Sequence, residues 1–208
     1  MTQHNAAILQ AKADVGMDMA EYTALFEQVV QEGRTTGPNQ SPDYVAYTKL
    51  NLARARRVEK TAKLRSELLD ALRKSPPQTW LVLTEAWCGD AAQCVGILAA
   101  AAQAAPDIEF KLLLRDEHPD LMDLYLTNGG RSIPKLIAVE RSDDTTTAGT
   151  RELFTWGPRP QEAQELVLAL RERHGDDWKA AAEELHRWYH ADATQSTQRE
   201  LLALLGGG

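Results

Sequence analysis

A cysteine becomes chemically useful when its surroundings favour thiolate over thiol, and Cys88 stands where a chain can arrange that. It lies in Trp87-Cys88-Gly89-Asp90-Ala91-Ala92-Gln93-Cys94, after the apolar run Leu81-Val82-Leu83-Thr84 and at the opening of an alanine-rich helical pattern. A strand-to-helix junction exposes a side chain to the unpaired N–H groups and positive end of the helix, which stabilise a thiolate and make the sulfur nucleophilic. Asp90 works in both directions. Its carboxylate opposes the thiolate yet suits the first turn of a helix, so the sequence leaves the direction of the thiol's pKa open. A dithiol site would carry its second cysteine three residues on, where the chain has Ala91.

The second cysteine, Cys94, lies six residues further along, about 1.7 helical turns. With both residues in a helix the axial separation is about 9 Å, beyond the roughly 7 Å between Cα atoms that a disulfide tolerates. The two are expected to be unbonded, with Cys94 packed in the core. A phosphate-gripping Cys-x5-Arg loop is excluded, because Cys94 occupies the arginine's position.

The strand, the Trp-Cys-Gly turn, the helix and the later Ile133-Pro134 resemble the thioredoxin fold, and in particular bacterial thioredoxin-family proteins with a WCGDAAQ segment. Asn128-Gly129-Gly130-Arg131-Ser132-Ile133-Pro134-Lys135 and Trp156-Gly157-Pro158-Arg159-Pro160 extend the resemblance, which covers roughly residues 76 to 175. It implies that Cys88 is the attacking cysteine and that Pro134 is a cis-proline facing it. It also implies that Ile133, just before that proline, offers its backbone to an extended partner. Trp87 and Gly89 are expected beside the partner as well, tryptophan to stack and glycine to permit close approach. Arg131 or Lys135 could support a thiolate or an anionic substrate. Ala91 stands at the resolving position, so dithiol chemistry is not implied.

Other constellations have simpler readings. Asp116, Glu117, His118 and Asp120 surround Pro119, and acids gather at a helix start for dipole reasons. His186 and His190 have the i, i+4 spacing of zinc ligands, with Glu183 and Glu184 nearby and no third ligand at a convincing distance. Neither is expected to hold a metal, and no cofactor is implied. Arg54, Arg56, Arg57, Lys60, Lys63 and Arg65, interleaved with Glu59 and Glu67, read as a solvated helix face. Trp178, Trp188 and Tyr189 read as anchors that bury the C-terminal helices.

Elements must position Cys88. Met19, Tyr22, Leu25, Phe26, Val29 and Val30 repeat with helical period within 17–31, and Gly33 with 35–39 ends that helix. Ser41-Pro42 starts another, with serine as the cap and proline in the first turn, and Tyr44 through Leu72 predicts one long helix up to Pro76-Pro77. Residues 80–84 read as a buried strand and 108–114 as a second strand, alternating at first and then continuous, with a helix over 90–105 between them. His118-Pro119-Asp120 opens a helix with Leu121, Leu124 and Tyr125 on one face, closed by Asn128-Gly129-Gly130. Residues 134–140 and 152–156 are further strands joined by a polar hairpin connection at 142–150. Residues 161–174 are helical, and 176–205 hold one or two more helices. The strand-helix-strand order argues for parallel pairing through a right-handed crossover. The expected fold is α/β, a thioredoxin-like βαβαββα core, organised as an N-terminal helical extension (1–75), the thioredoxin-like domain (76–175) and C-terminal helices packed on it (176–208).

A length of 208 residues suits one substantial core with additions, and a net charge of −7 offers no diffuse positive field for a phosphate backbone. Nucleic acid is therefore not an expected partner. Residues 1–16 lack a basic segment followed by an apolar core, and no apolar run reaches the roughly 18 residues that cross a bilayer. A soluble, cytoplasmic protein is expected, and two cysteines agree with a reducing compartment. The resulting functional expectation is a monothiol thiol-disulfide redox protein, a disulfide oxidoreductase acting on protein or low-molecular-weight thiols and disulfides. Its rival is a redox-inactive thioredoxin-fold binding module with a groove around Trp87 and Ile133.

Overall fold

Strand β1 (Gln78–Thr84) is buried at every position, which is why its middle, Trp80 to Leu83, is continuously apolar rather than alternating. In this computed structural model, which describes residues 3–141, 151–175 and 177–206, β1 lies inside a four-stranded sheet. It pairs in parallel with β2 (Ile108–Leu114), Gln78 opposite Ile108 and Thr84 opposite Leu114. On its other side it pairs antiparallel with β3 (Lys135–Glu140), which pairs antiparallel with β4 (Glu152–Trp156). The order is β2-β1-β3-β4, with the expected parallel pair at one side. Met17 forms two backbone hydrogen bonds with Leu112 and so covers part of the outer edge of β2. The expected hairpin connection at 142–150 lies outside the described residues.

Two helices precede the loop at 33–41, and only the second was predicted. The first, α1 (Gln3–Val15), has little amphipathic pattern, and its sequence did not announce it. The second, α2 (Met19–Gln31), buries Tyr22, Phe26 and Val29 from the predicted stripe. Its start is fixed by a reciprocal capping box: Asp18 Oδ1 accepts from the Glu21 N–H at 2.8 Å, and Glu21 Oε2 accepts from the Asp18 N–H at 2.8 Å.

The predicted long helix is two helices, α3 (Pro42–Thr61) and α4 (Ser66–Leu72). Ser41 makes no side-chain capping bond, so Pro42 alone marks the start of α3. No glycine or proline announces the break at 62–65, because its cause is distant in sequence. Gln198 donates to the Lys63 carbonyl at 3.0 Å and accepts from the Arg65 N–H at 2.9 Å, taking the groups a continuing helix would have paired. Gln198 is itself fully buried. Gln198→Ala is therefore expected to lower stability by about 1–3 kcal/mol through unpaired backbone groups, read as a shift of the urea midpoint. The basic run around the break is only partly a solvated face: Arg56 is exposed, while Arg57 donates to Gln93 at 2.6 Å and Arg54 to Asn51 at 2.8 Å.

Helix α5 (Gly89–Gln103) starts at the cysteine motif and is buried from Asp90 to Leu98. Its small side chains serve that burial, since β1, β2, α3, α4 and C-terminal helix α9 (Gln195–Leu205) all pack on it. At Gly96 a Cβ would come within 3.1 Å of Val58, so glycine lets α3 lie close. The helix predicted after Pro119 is a single turn, α6 (Pro119–Met122), following a short 3₁₀ turn at 115–117. Leu121 is buried but Leu124 is exposed, so the proposed common face does not form. The chain then turns through Asn128 and Gly129, both at positive φ. Helices α7 (Gln161–His174) and α8 (Trp178–Asp192) pack against each other, and α9 packs on α4. The mixed sheet with flanking and additional helices is the thioredoxin-like α/β fold. No helix among the described residues is long and apolar enough to cross a membrane.

Candidate functional site

The turn from β1 into α5 is held by residues of α3 and of the loop before it. The Ala86 N–H donates to Thr36 Oγ1 at 2.9 Å, and Asn51 on α3 donates to the Ala86 carbonyl at 3.1 Å. Glu85, fully buried, accepts from the Asp116 N–H at 2.9 Å, and its carbonyl accepts from the Cys88 N–H at 3.1 Å. Burial keeps the Glu85 carboxyl above the usual carboxylate range. None of these polar anchors was singled out from the sequence. The detectable trace was Asn51, a short amide set among the apolar positions of α3.

Cys88 is the N-cap of α5, as the strand-to-helix reading requires, and its sulfur accepts from the Ala91 N–H at 3.4 Å. Its thiol donates to the Ile133 carbonyl at 3.3 Å, and Ile133–Pro134 is cis. The expected neighbours therefore meet. Cys88 is only 7% exposed, however. Burial pushes its pKa up to about 12, and the nearby Asp90 carboxylate pushes the same way. The N–H groups of Ala91 and Asp90 and the Arg159 guanidinium pull it down without reversing the balance. The favourable helix terminus is thus present and outweighed by desolvation.

The charge partner of this turn is Arg159, not Arg131 or Lys135. Arg131 forms an exposed pair with Asp123 at 2.7 Å, and Lys135 is buried with its ammonium donating to Thr127 Oγ1 at 2.8 Å and the Gly157 carbonyl at 3.3 Å. Arg159 contacts Asp90 Oδ2 at 2.6 Å through Nη2 and 3.1 Å through Nε, while the Tyr189 hydroxyl donates to Asp90 Oδ1 at 2.6 Å. Gly157, cis to Pro158 and at φ 107°, lets this segment pass the Pro134 carbonyl, which a Cβ would approach to 2.2 Å.

Trp87 is half-buried, with the Tyr44 ring 5.3 Å from its own and the Arg115 guanidinium 4.6 Å from its centroid. The close approach that Gly89 allows is taken by the protein's own helices: a Cβ there would lie 2.9 Å from His186 and 3.4 Å from Tyr47. His186, read above as one of a histidine pair, is instead bonded to Gln93 at 3.0 Å and to the Tyr47 hydroxyl at 3.4 Å. Burial, and then Arg54 and Arg57, hold its pKa down to about 3. His190 is exposed. In the other acidic group, Lys12 pairs with Asp120 at 2.8 Å and reaches His118 at 3.2 Å. Trp178 is 49% exposed, so it is not the buried anchor its size suggested.

Cys94 is fully buried and unbonded to Cys88, with Tyr189 beside it at 3.9 Å. Burial raises the pKa of Cys94 and of Tyr189, as it does that of Cys88. The folded state thus keeps protons that an unfolded chain loses near pH 8.5 for cysteine and about 10 for tyrosine. This stabilisation is complete below about pH 8.5 and is lost as pH rises toward the folded-state values. The urea midpoint is expected to fall steadily above about pH 9, and less steeply in Cys94→Ala.

The buried Cys88 thiol thus caps a helix opposite a cis-proline, on a β2-β1-β3-β4 sheet. A protein-family model described as Thioredoxin matches residues 37–181, and the chain belongs to that family. Among solved structures, the chain is similar to a Pseudomonas aeruginosa protein of unknown function, at 20% identity and a TM-score of 0.58, with 93% of this chain and 94% of that one covered. It is also similar to an HIV epitope-scaffold at 19% identity and a TM-score of 0.59, with 96% and 98% covered. At these identities the likeness concerns the fold. No curated protein matches the chain.

Proposed function

We propose that the protein is a monothiol thiol-disulfide redox protein of a reducing, cytoplasmic compartment, with Cys88 as its nucleophile. The observation that carries this reading is the placement of the Cys88 sulfur at the N-terminus of α5, 3.3 Å from the carbonyl that precedes cis-Pro134. An extended partner whose backbone N–H takes the Ile133 carbonyl would displace the S–H from it. The thiol, once deprotonated to solvent, attacks one sulfur of the partner's disulfide. A Cys88–partner disulfide forms and the other sulfur leaves as thiolate. Ala91 cannot resolve the adduct, so a second, external thiol attacks it, regenerating Cys88 and carrying the oxidation away as a new disulfide. Trp87, Ile133 and Pro134 would line the partner's path.

A second reading, a redox-inactive binding module, is favoured by one feature: a thiol with pKa near 12 is overwhelmingly protonated at neutral pH. The two separate in a pH series with a small disulfide probe. For a single thiolate attacking below its pKa, the rate should rise about tenfold per pH unit between about pH 7 and 9. Absence of reaction across that range would favour the binding module, and a plateau near neutrality would contradict the raised pKa.

A further inference from the structure

Beside Trp87 lies a cleft of about 430 Å³ lined by Ser41, Asp43, Tyr44, Tyr47, Trp87 and Trp178. Tyr44 and Tyr47 stand one turn apart on α3, Trp87 belongs to the cysteine turn and Trp178 opens α8, so three separate segments place aromatic rings around one space. The rings form two tilted pairs, Tyr44–Trp87 at 5.3 Å and Tyr47–Trp178 at 5.7 Å between centroids. Asp43, in the first turn of α3, is the charged side chain in the lining.

Four electron-rich rings around one carboxylate form a receptor for an organic cation, because ring quadrupoles attract positive charge over their faces and a carboxylate neutralises it. The protein supplies its own stand-in. The Lys179 ammonium lies 5.5 Å from the Trp178 centroid and 3.5 Å from Asp43 Oδ1, on a side chain that is 65% exposed and free to leave. Arg54 over Tyr47 at 5.2 Å and Arg115 over Trp87 at 4.6 Å show that these rings already hold cations. Neither arginine lines the cleft, and Lys179 meets it only through Trp178 and Asp43. An anionic ligand would meet Asp43, and a neutral apolar one would leave that carboxylate unused.

We propose that this cleft binds an organic ammonium group, with Lys179 as the internal group it displaces. Because Trp87 joins the cleft to Cys88, the favoured redox partner is a disulfide or thiol that carries such a group; this second step rests on the thiol-disulfide reading.

The binding step is tested by tryptophan fluorescence during titration with choline and with its uncharged carbon isostere, 3,3-dimethylbutan-1-ol. Choline should give a saturating change that the isostere does not, either in the wild type or once Lys179→Met has removed the competitor. Asp43→Asn should weaken choline about two- to five-fold, the range expected of an exposed cation contact, and Lys179→Met should strengthen it by a similar factor. Equal response to choline and isostere, or no saturation by choline even in Lys179→Met, would overturn the cleft. The redox step is read separately, as the rate of Cys88 modification by cystamine against that by bis(2-hydroxyethyl) disulfide. Cystamine is intrinsically the faster reagent because its ammonium lowers the pKa of the leaving thiol, so the rate ratio should exceed that of the urea-unfolded chain, with this surplus lost in Asp43→Asn. A ratio no larger than the unfolded chain's, with choline still bound, overturns the substrate preference alone. Inertness toward both disulfides with choline still bound overturns the redox reading and leaves the cleft standing.

Discussion

Cys88→Ser should abolish mixed-disulfide formation while leaving the fold in place. Serine is close to cysteine in size, and its hydroxyl can donate to the Ile133 carbonyl as the thiol does at 3.3 Å. The stability change should stay within about 1–2 kcal/mol despite the burial of the site. Cys94→Ala should behave in the opposite way. Cys94 is fully buried against Tyr189, so truncation should lower stability by about 1–2 kcal/mol and leave the reaction with disulfides intact. The pair separates a chemical thiol from a packing thiol, with reactivity followed by mass and stability by urea denaturation. Equal reactivity of the wild type and Cys88→Ser would end the redox reading.

Arg159→Met should be the most destabilising change near the site. The Arg159 and Asp90 side chains are 17% and 10% exposed, and their contact is 2.6 Å. Removing the guanidinium leaves a largely buried carboxylate with the Tyr189 hydroxyl as its remaining side-chain partner, a situation that typically costs about 3–5 kcal/mol. Arg159→Lys should fall between, since an ammonium keeps the charge but cannot reproduce the two-nitrogen contact. Removing Arg159 also withdraws one of the groups that lower the Cys88 pKa, so the disulfide reaction should slow at a given pH. A urea midpoint within error of the wild type would show that the Asp90 environment is far wetter than its burial indicates.

The sheet was legible because its signals are local. A continuous apolar run gave β1, a run alternating and then continuous gave β2, and the expected bounds of β2, β4 and α7 coincide with those observed. Cys88 at a helix N-cap and Pro134 beside it were also readable, the first from the strand-to-helix junction and the second through resemblance. What escaped notice was set by tertiary partners. The α3–α4 break depends on Gln198, more than a hundred residues away, and α1 has too weak a stripe to be distinguished from an irregular segment. The site's charge balance escaped for the same reason: Asp90 was visible, but its burial and its pairing with Arg159 and Tyr189 were not. A helix N-terminus can be read from order along the chain. The desolvation that outweighs it arises from what the rest of the chain places on top.

The most direct test of the central claim is to incubate the intact protein at pH 8.5–9 with a small disulfide, quench with acid and map the products by peptide mass spectrometry. We expect one adduct per chain, carried by the peptide containing Cys88, absent in Cys88→Ser and removed by an added monothiol. An adduct on Cys94, an internal Cys88–Cys94 bridge, or no adduct on the folded protein while the urea-unfolded chain reacts would contradict it.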